Sequence, residues 1–150
     1  MTGVPLRPVR VLLVEDNPGD VRLVREALAE GTVPSELSVA RDGVEALAFL
    51  RRGDGHADAP RPDVILLDLN LPRMDGREVL QAVKSDPSLR TIPVVVLTSS
   101  EADRDIAQAY ALHANCYVPK PVDLDRFIAV IHSIQQFWFT VARLPGEGEP

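Results

Sequence analysis

The sequence predicts an α/β domain: a doubly wound, five-stranded parallel sheet covered by five helices, the last of them extended. Three observations predict it. Five short aliphatic runs recur without polar alternation, the pattern of strands buried on both faces. Amphipathic stretches of helical period lie between them. Strand and helix therefore alternate along the chain, the order that right-handed crossovers build into a parallel sheet.

The first strand is read at Arg10 to Val14. The helix after it, Pro18 to Glu30, places Val21, Val24 and Leu28 on one face, with Gly31 as the residue just past its end. Leu37 to Ala40 is a weaker second strand. Gly43 to Arg52 carries Val44, Leu47 and Leu50 and stops at Gly53. A polar loop, Gly53 to Pro62, leads into the third strand, Val64 to Leu67. The helix Asp75 to Ser85 carries Val79, Leu80 and Val83 and ends before Pro87. Ile92 to Leu97 is the fourth strand. Ser100 followed by Asp103 resembles a capping box for the helix Ala102 to Leu112. Cys116 to Val118 is the fifth strand, and Asp123 starts a last helix running to about Arg143.

Composition narrows the function. The chain has 150 residues, 45% of them hydrophobic and 25% charged, and a net charge of −6. That is one domain with a packed core, read as residues 9–144 between an N-terminal extension, 1–8, and an acidic tail, 145–150. One cysteine supports neither an internal disulfide nor a thiolate metal site. No apolar run approaches a membrane span, and the first ten residues lack the apolar core of a secretory signal. The expectation is a cytoplasmic domain with no membrane partner. The acidic balance argues against nucleic acid as a partner. Fourteen of the 16 basic residues are arginine; the only lysines are Lys84 and Lys120.

In such sheets ligands gather at the carboxyl ends of the strands. There the sequence places Glu15-Asp16 after strand one, Asp68 after strand three, Thr98-Ser99-Ser100 after strand four and Lys120-Pro121 after strand five. The acidic pair alone is also what a helix N-terminus favours. Three converging carboxylates, however, suit a hard cation such as Mg²⁺. A carboxylate leaving a buried strand needs a partner or a task, and an aspartate can accept a phosphoryl group. Lys120 and the Thr98 hydroxyl would then face the charge of that group.

Four segments, VLLVEDNPGD (11–20), DVILLDLNLPRMDG (63–76), IPVVVLTSS (92–100) and YVPKP (117–121), resemble the receiver domain of two-component response regulators, a flavodoxin-like fold. The resemblance covers about Val9 to Ile134. It implies that Asp68 is the phosphoacceptor, and that Glu15, Asp16 and Asp68 hold Mg²⁺ with the Asn70 backbone carbonyl, Asp16 more directly than Glu15. It implies that Thr98 and Lys120 contact the phosphoryl group, that Tyr117 is the switch aromatic, and that Pro121 follows a cis bond. Asp75-Gly76 would shape the loop into the third helix. EDNPGDVRLVREAL, ARDGVEALAFLR and the ending FWFTVARLP are similar to the single-domain regulators of bacterial and cyanobacterial phytochromes. The implied partner is a histidine kinase of that class. The implied chemistry is phosphorylation and dephosphorylation of Asp68 itself rather than multiple-turnover catalysis.

Two positions depart from the family pattern. His113 stands where receivers usually carry glycine at a positive φ, which histidine tolerates. Asn115-Cys116 replaces a more usual polar pair, and Cys116 reads as a small strand residue. None of His56, His113 and His132 has metal spacing.

The last helix is heavily apolar. Phe127, Ile131, Ile134, Trp138 and Val141 form a core-facing stripe, while Val130, Phe137 and Leu144 form a second line and Phe139 adds to it. A helix of ~20 residues spans ~30 Å, more than the sheet covers. Either its end folds back, or Val130, Phe137, Trp138, Phe139 and Leu144 meet a second copy, through the helix 4, strand 5 and helix 5 face that receivers use. Arg22 and Arg25 are either a solvated face, with Arg22 paired to Glu26, or a kinase-docking face.

Alternatives to a signalling receiver remain. A Mg²⁺-dependent aspartyl phosphatase places its nucleophile after the first strand with an acid two residues on; here Asn70 holds that place. A nucleotide or flavin fold needs a glycine-rich loop, and Asn17-Pro18-Gly19-Asp20 has one glycine. A phosphate sink or relay, or a binding module that needs no phosphorylation, would share the receiver motifs.

Overall fold

Splitting of each strand between two faces organises the molecule. A computed structural model describes residues 8–53 and 55–141. It contains strands β1 (Val9–Val14), β2 (Ser35–Ala40), β3 (Val64–Leu67), β4 (Val94–Thr98) and β5 (Cys116–Pro119). The helices are α1 (Pro18–Glu30), α2 (Gly43–Arg51), α3 (Gly76–Ser85), α4 (Asp103–Ala111) and α5 (Leu124–Gln136), followed by a π-helical turn, Phe137–Val141. The expected extension and tail lie almost wholly outside the described residues.

The sheet is parallel throughout, in the order β2-β1-β3-β4-β5. This is the five-stranded, flavodoxin-like receiver fold expected. Side chains alternate across a strand. Val11 and Leu13 therefore point to one face and join Val24 and Leu28 of α1 and Phe127 and Ile131 of α5. Leu12 and Val14 point to the other and join Leu47 of α2 and Val79 and Leu80 of α3. Two cores result, one under α1 and α5, the other under α2, α3 and α4. Because β1 is followed by β2 on one side and β3 on the other, the winding reverses between β1 and β3. The carboxyl ends of those strands flank a topological switch point.

Local chemistry explains most helix ends. Asn17, Asp42, Asp75 and Asp123 each accept backbone N–H bonds as N-caps. The exception is α4. Its N-cap is Ala102, with no side-chain bond, so the expected Ser100–Asp103 box does not form. Ser100 Oγ donates instead to Asp105, deeper in the helix. The φ of 73° at His113 bears out the left-handed expectation there. Gly31 is extended, φ −72°, rather than left-handed. It is glycine-sized for another reason: a Cβ would run into the buried amide of Gln135, which donates to the Leu28 and Val33 carbonyls. Arg52, not Gly53, takes the left-handed turn after α2.

The last helix departs from expectation. Its α-helical part ends at Gln136, and a π turn continues to Val141. A π turn adds a residue to each cycle. Phe139, five positions after Ile134, therefore takes the core position and is only 8% exposed. It packs into the core of its own domain rather than standing on the surface where the sequence reading put it. Trp138 is turned to the flank, where its ring meets Phe137 edge-on at 5.4 Å. Phe137 is 51% exposed and Val130 partly buried. Leu144 lies outside the described residues.

Candidate functional site

Ladder hydrogen bonds assemble the carboxyl-end rim. The Glu15 N–H donates to the Ala40 carbonyl (2.9 Å), and the Asp68 N–H to the Val14 carbonyl (3.0 Å). Residues leaving β1 and β3 are thus held side by side. The Lys120 N–H donates to the Thr98 carbonyl (2.7 Å), which ties the ends of β4 and β5. The turn into α1 adds an Asn17 N–H bond to Glu15 Oε1 at 3.2 Å.

The three predicted carboxylates meet. Oxygens of Glu15, Asp16 and Asp68 all lie within 4.8 Å of one another. Glu15 is 2% exposed and Asp68 6%, while Asp16 faces solvent. Lys120 Nζ donates to Glu15, to Asp20 (2.9 Å) and to Asp68 (3.2 Å). Burial pushes the Glu15 carboxyl up to about 7, and the neighbouring Asp68 charge adds to this against the pull of Lys120. Burial alone would lower Lys120; its hydrogen bonds to Glu15 and Asp20 and the nearby carboxylates raise it above the ordinary lysine value instead. A buried carboxyl held near neutrality beside two others is a set with more negative charge than one ammonium compensates. An all-oxygen donor set of this kind fits a hard divalent cation.

One further detail points to a ligand with oxygens, and another orients the Asp68 carboxylate. The Thr98 hydroxyl is fully buried at the rim and has no hydrogen-bond partner among the described residues. Such a group normally carries a desolvation penalty. The Asn70 N–H donates to Asp68 Oδ1 at 3.1 Å, which orients the carboxylate from the loop after β3. The loop returns under Asp68 at Gly76, where a Cβ would lie 2.6 Å from Leu69 Cα and closer still to the Asp68 carbonyl. Glycine is required there by close approach.

Tyr117 stands one remove away. Its hydroxyl donates to the Ser100 carbonyl at 3.0 Å, on the loop that follows Thr98, rather than reaching the carboxylates. The expected cis bond before Pro121 is not found: no described peptide is cis.

Asp20 was not singled out from sequence as part of the site. Its only signal was position, an acid in the first turn of the helix that leaves the rim. A second unread group links α3 to α4: Arg77 pairs with Asp75 (3.2 Å) and Asp105 (3.0 Å), and Asp105 accepts from Ser100. Lys84 is structural. It donates to the Arg90 and Ile92 carbonyls and to Asn115 Oδ1, which also accepts from the Val94 N–H, so Asn115 earns its place as a brace. Arg22 and Glu26 form the expected exposed pair at 3.0 Å. Among the described residues no helix is long and apolar enough to cross a membrane.

Residues 11–132 match the family described as the response regulator receiver domain. Response regulator Rcp1 of Synechocystis sp. PCC 6803 is 46% identical over 138 residues, 92% of this chain and 94% of that protein. Among solved structures, the phosphorylated cyanobacterial phytochrome response regulator RcpA superposes with a TM-score of 0.91 at 51% identity, covering 93% of this chain and all of that one. The Mn²⁺-bound form of Rcp1 gives 0.89 at 46% identity, with the same coverage. The bacteriophytochrome response regulator RtBRR gives 0.73 at 40% identity, covering 96% of this chain and 84% of that one. With its carboxylates, hydroxyl and lysine gathered on one rim of a 2-1-3-4-5 sheet, this chain belongs to the receiver-domain family of response regulators.

Proposed function

We propose that Asp68 accepts a phosphoryl group from a partner histidine kinase, and that the modified receiver, residues 9–144, then changes its protein contacts. The observation that carries this is the nearly buried Asp68 carboxylate, within reach of Lys120 and of two further carboxylates, on a rim that also holds a buried, unpartnered Thr98 hydroxyl. An Asp68 oxygen attacks phosphorus, the nitrogen–phosphorus bond of the donor histidine breaks, and that nitrogen keeps the electron pair and takes a proton. Lys120 and Thr98 donate to phosphoryl oxygens. Glu15, Asp16 and Asp68, with the Asn70 carbonyl, are the residues that would hold Mg²⁺. A bound cation would neutralise charge developing on the phosphoryl oxygens. Movement of Thr98 toward the phosphoryl group would pull on the Ser100 loop, to which Tyr117 is bonded; this makes Tyr117 the switch residue.

The kinase is of the phytochrome class on the strength of the relatives described as phytochrome regulators. The site is cytoplasmic, without nucleic acid or membrane as partner, and its chemistry is confined to phosphorylation and dephosphorylation of Asp68. A homodimer through α4, β5 and α5 is supported by a recess that Cys116, Val118, Val130, Ile134, Phe137 and Trp138 line on the open edge of the sheet. Intact-mass analysis after incubation with Mg²⁺ and acetyl phosphate tests the central claim. One added phosphoryl group, absent from Asp68→Asn and from EDTA-treated samples, is expected. Failure with both acetyl phosphate and a cognate kinase would leave a binding module.

A further inference from the structure

Three carboxylates share the Lys120 ammonium: Glu15, Asp20 and Asp68. An ammonium has three N–H donors, so all are engaged. Two of those acceptors also belong to the cluster that fits a cation; Asp20 does not. Asp20 sits in the first turn of α1, its side chain a quarter exposed, and at 2.9 Å it is nearer to Nζ than Asp68 at 3.2 Å. Resting on the reading of Asp68 as the phosphoacceptor, we infer that Asp20 is a positioning residue for phosphoryl uptake, its carboxylate holding the Lys120 ammonium at the rim when Glu15 and Asp68 commit their charge to a divalent cation.

The physical argument is a change of partners. In the cation-free site, Glu15 and Asp68 draw Lys120 inward. A cation held by the same carboxylates removes that attraction and repels the ammonium. Lysine has a flexible four-carbon stem and regains rotamer freedom when it leaves. Asp20 opposes both effects. Its backbone is fixed by an N–H bond to the Asn17 cap at 3.1 Å. The acceptor is therefore in place before the phosphoryl group arrives, which is where pre-organisation acts.

The lysine count makes a direct test possible. Protein labelled with ¹⁵N at the lysine side chains carries two ammonium reporters, Lys84 and Lys120. In the Mg²⁺-loaded parent both are expected to be protected from exchange. In Asp20→Ala the Lys120 signal should be lost to exchange with Mg²⁺ present, and the Lys84 signal should stay. Uptake from acetyl phosphate at saturating Mg²⁺ should slow by about tenfold in Asp20→Ala, the scale of one charge-assisted hydrogen bond. Asp20→Asn keeps an acceptor oxygen and should fall between. The Mg²⁺ concentration needed to raise the thermal midpoint should move by less than about twofold. An unchanged Lys120 signal, an unchanged or faster uptake, or a large loss of Mg²⁺ affinity would each overturn the assignment. A parent that takes up no phosphoryl group removes the phosphoacceptor reading and this inference together. Normal uptake in both parent and Asp20→Ala removes this inference alone.

Discussion

Replacing Lys120 with methionine tests the electrostatics of the rim without any phosphoryl donor. The lysine side chain is 10% exposed and serves Glu15, Asp20 and Asp68, two of which are more deeply buried than it is. Methionine fills similar apolar space but leaves the carboxylates uncompensated. Removing one partner of a buried ion pair costs about 3–5 kcal/mol. Glu15 relieves part of this by taking a proton, since its carboxyl already stands at about 7. A loss of about 3 kcal/mol at pH 8 follows, which for a domain of this size lowers Tm by about 6–12 °C. The pH dependence has a definite sign. Burial raises the folded-state value of Glu15 above its unfolded value of 4.5, so its charging destabilises the fold as pH rises through that interval. Loss of Lys120 removes two influences that lower it, so the variant suffers more from rising pH than the parent. The gap in Tm should therefore shrink from pH 8 to pH 5, and millimolar Mg²⁺ should narrow it at pH 8. Calorimetry of both proteins at the two pH values is sufficient. Equal midpoints at pH 8, or a gap that widens on acidification, would refute the reasoning.

Three other outcomes are expected. Thr98→Val removes a buried hydroxyl that has no partner, so the unphosphorylated protein should be as stable as the parent or about 1 kcal/mol more so, by chemical denaturation. The same variant should lose the change in Tyr117 environment that phosphorylation produces, read by NMR. Gly76→Ala forces a methyl against the Asp68 carbonyl and Leu69 Cα; it should cost about 2 kcal/mol or more and cut phosphoryl uptake, while a surface Gly53→Ala control, with open space around it, should leave uptake unchanged. Burial raises the Cys116 thiol, so its alkylation by iodoacetamide should reach half-maximal rate at a higher pH in folded protein than in urea, and coincident pH profiles would count against the burial.

Much of this molecule is legible in the chain because its determinants are local. Aliphatic runs such as Val64 to Leu67 say "buried strand" because no polar residue interrupts them, and Val79, Leu80 and Val83 say "helix" through a period of three to four. Asp68 and Thr98 announce themselves because a polar residue at the end of an apolar run needs a reason to be there. What the chain alone did not decide are contacts between distant segments and small rotations within one helix. Asp20 and Lys120 are 100 residues apart, and only the docking of α1 beside β5's exit makes them partners. Gly31 is small because Gln135 of α5 lies over it, not because of its own φ. Phe139 and Trp138 exchange places because a single π turn rotates the apolar stripe, a difference below the resolution of a 3.6-residue period. The sequence by itself determined the elements, their order and the chemical types on the rim, since each depends on neighbours a few residues away. The tertiary structure decided which of those groups touch, since that depends on the crossovers that bring separate strand ends to one edge.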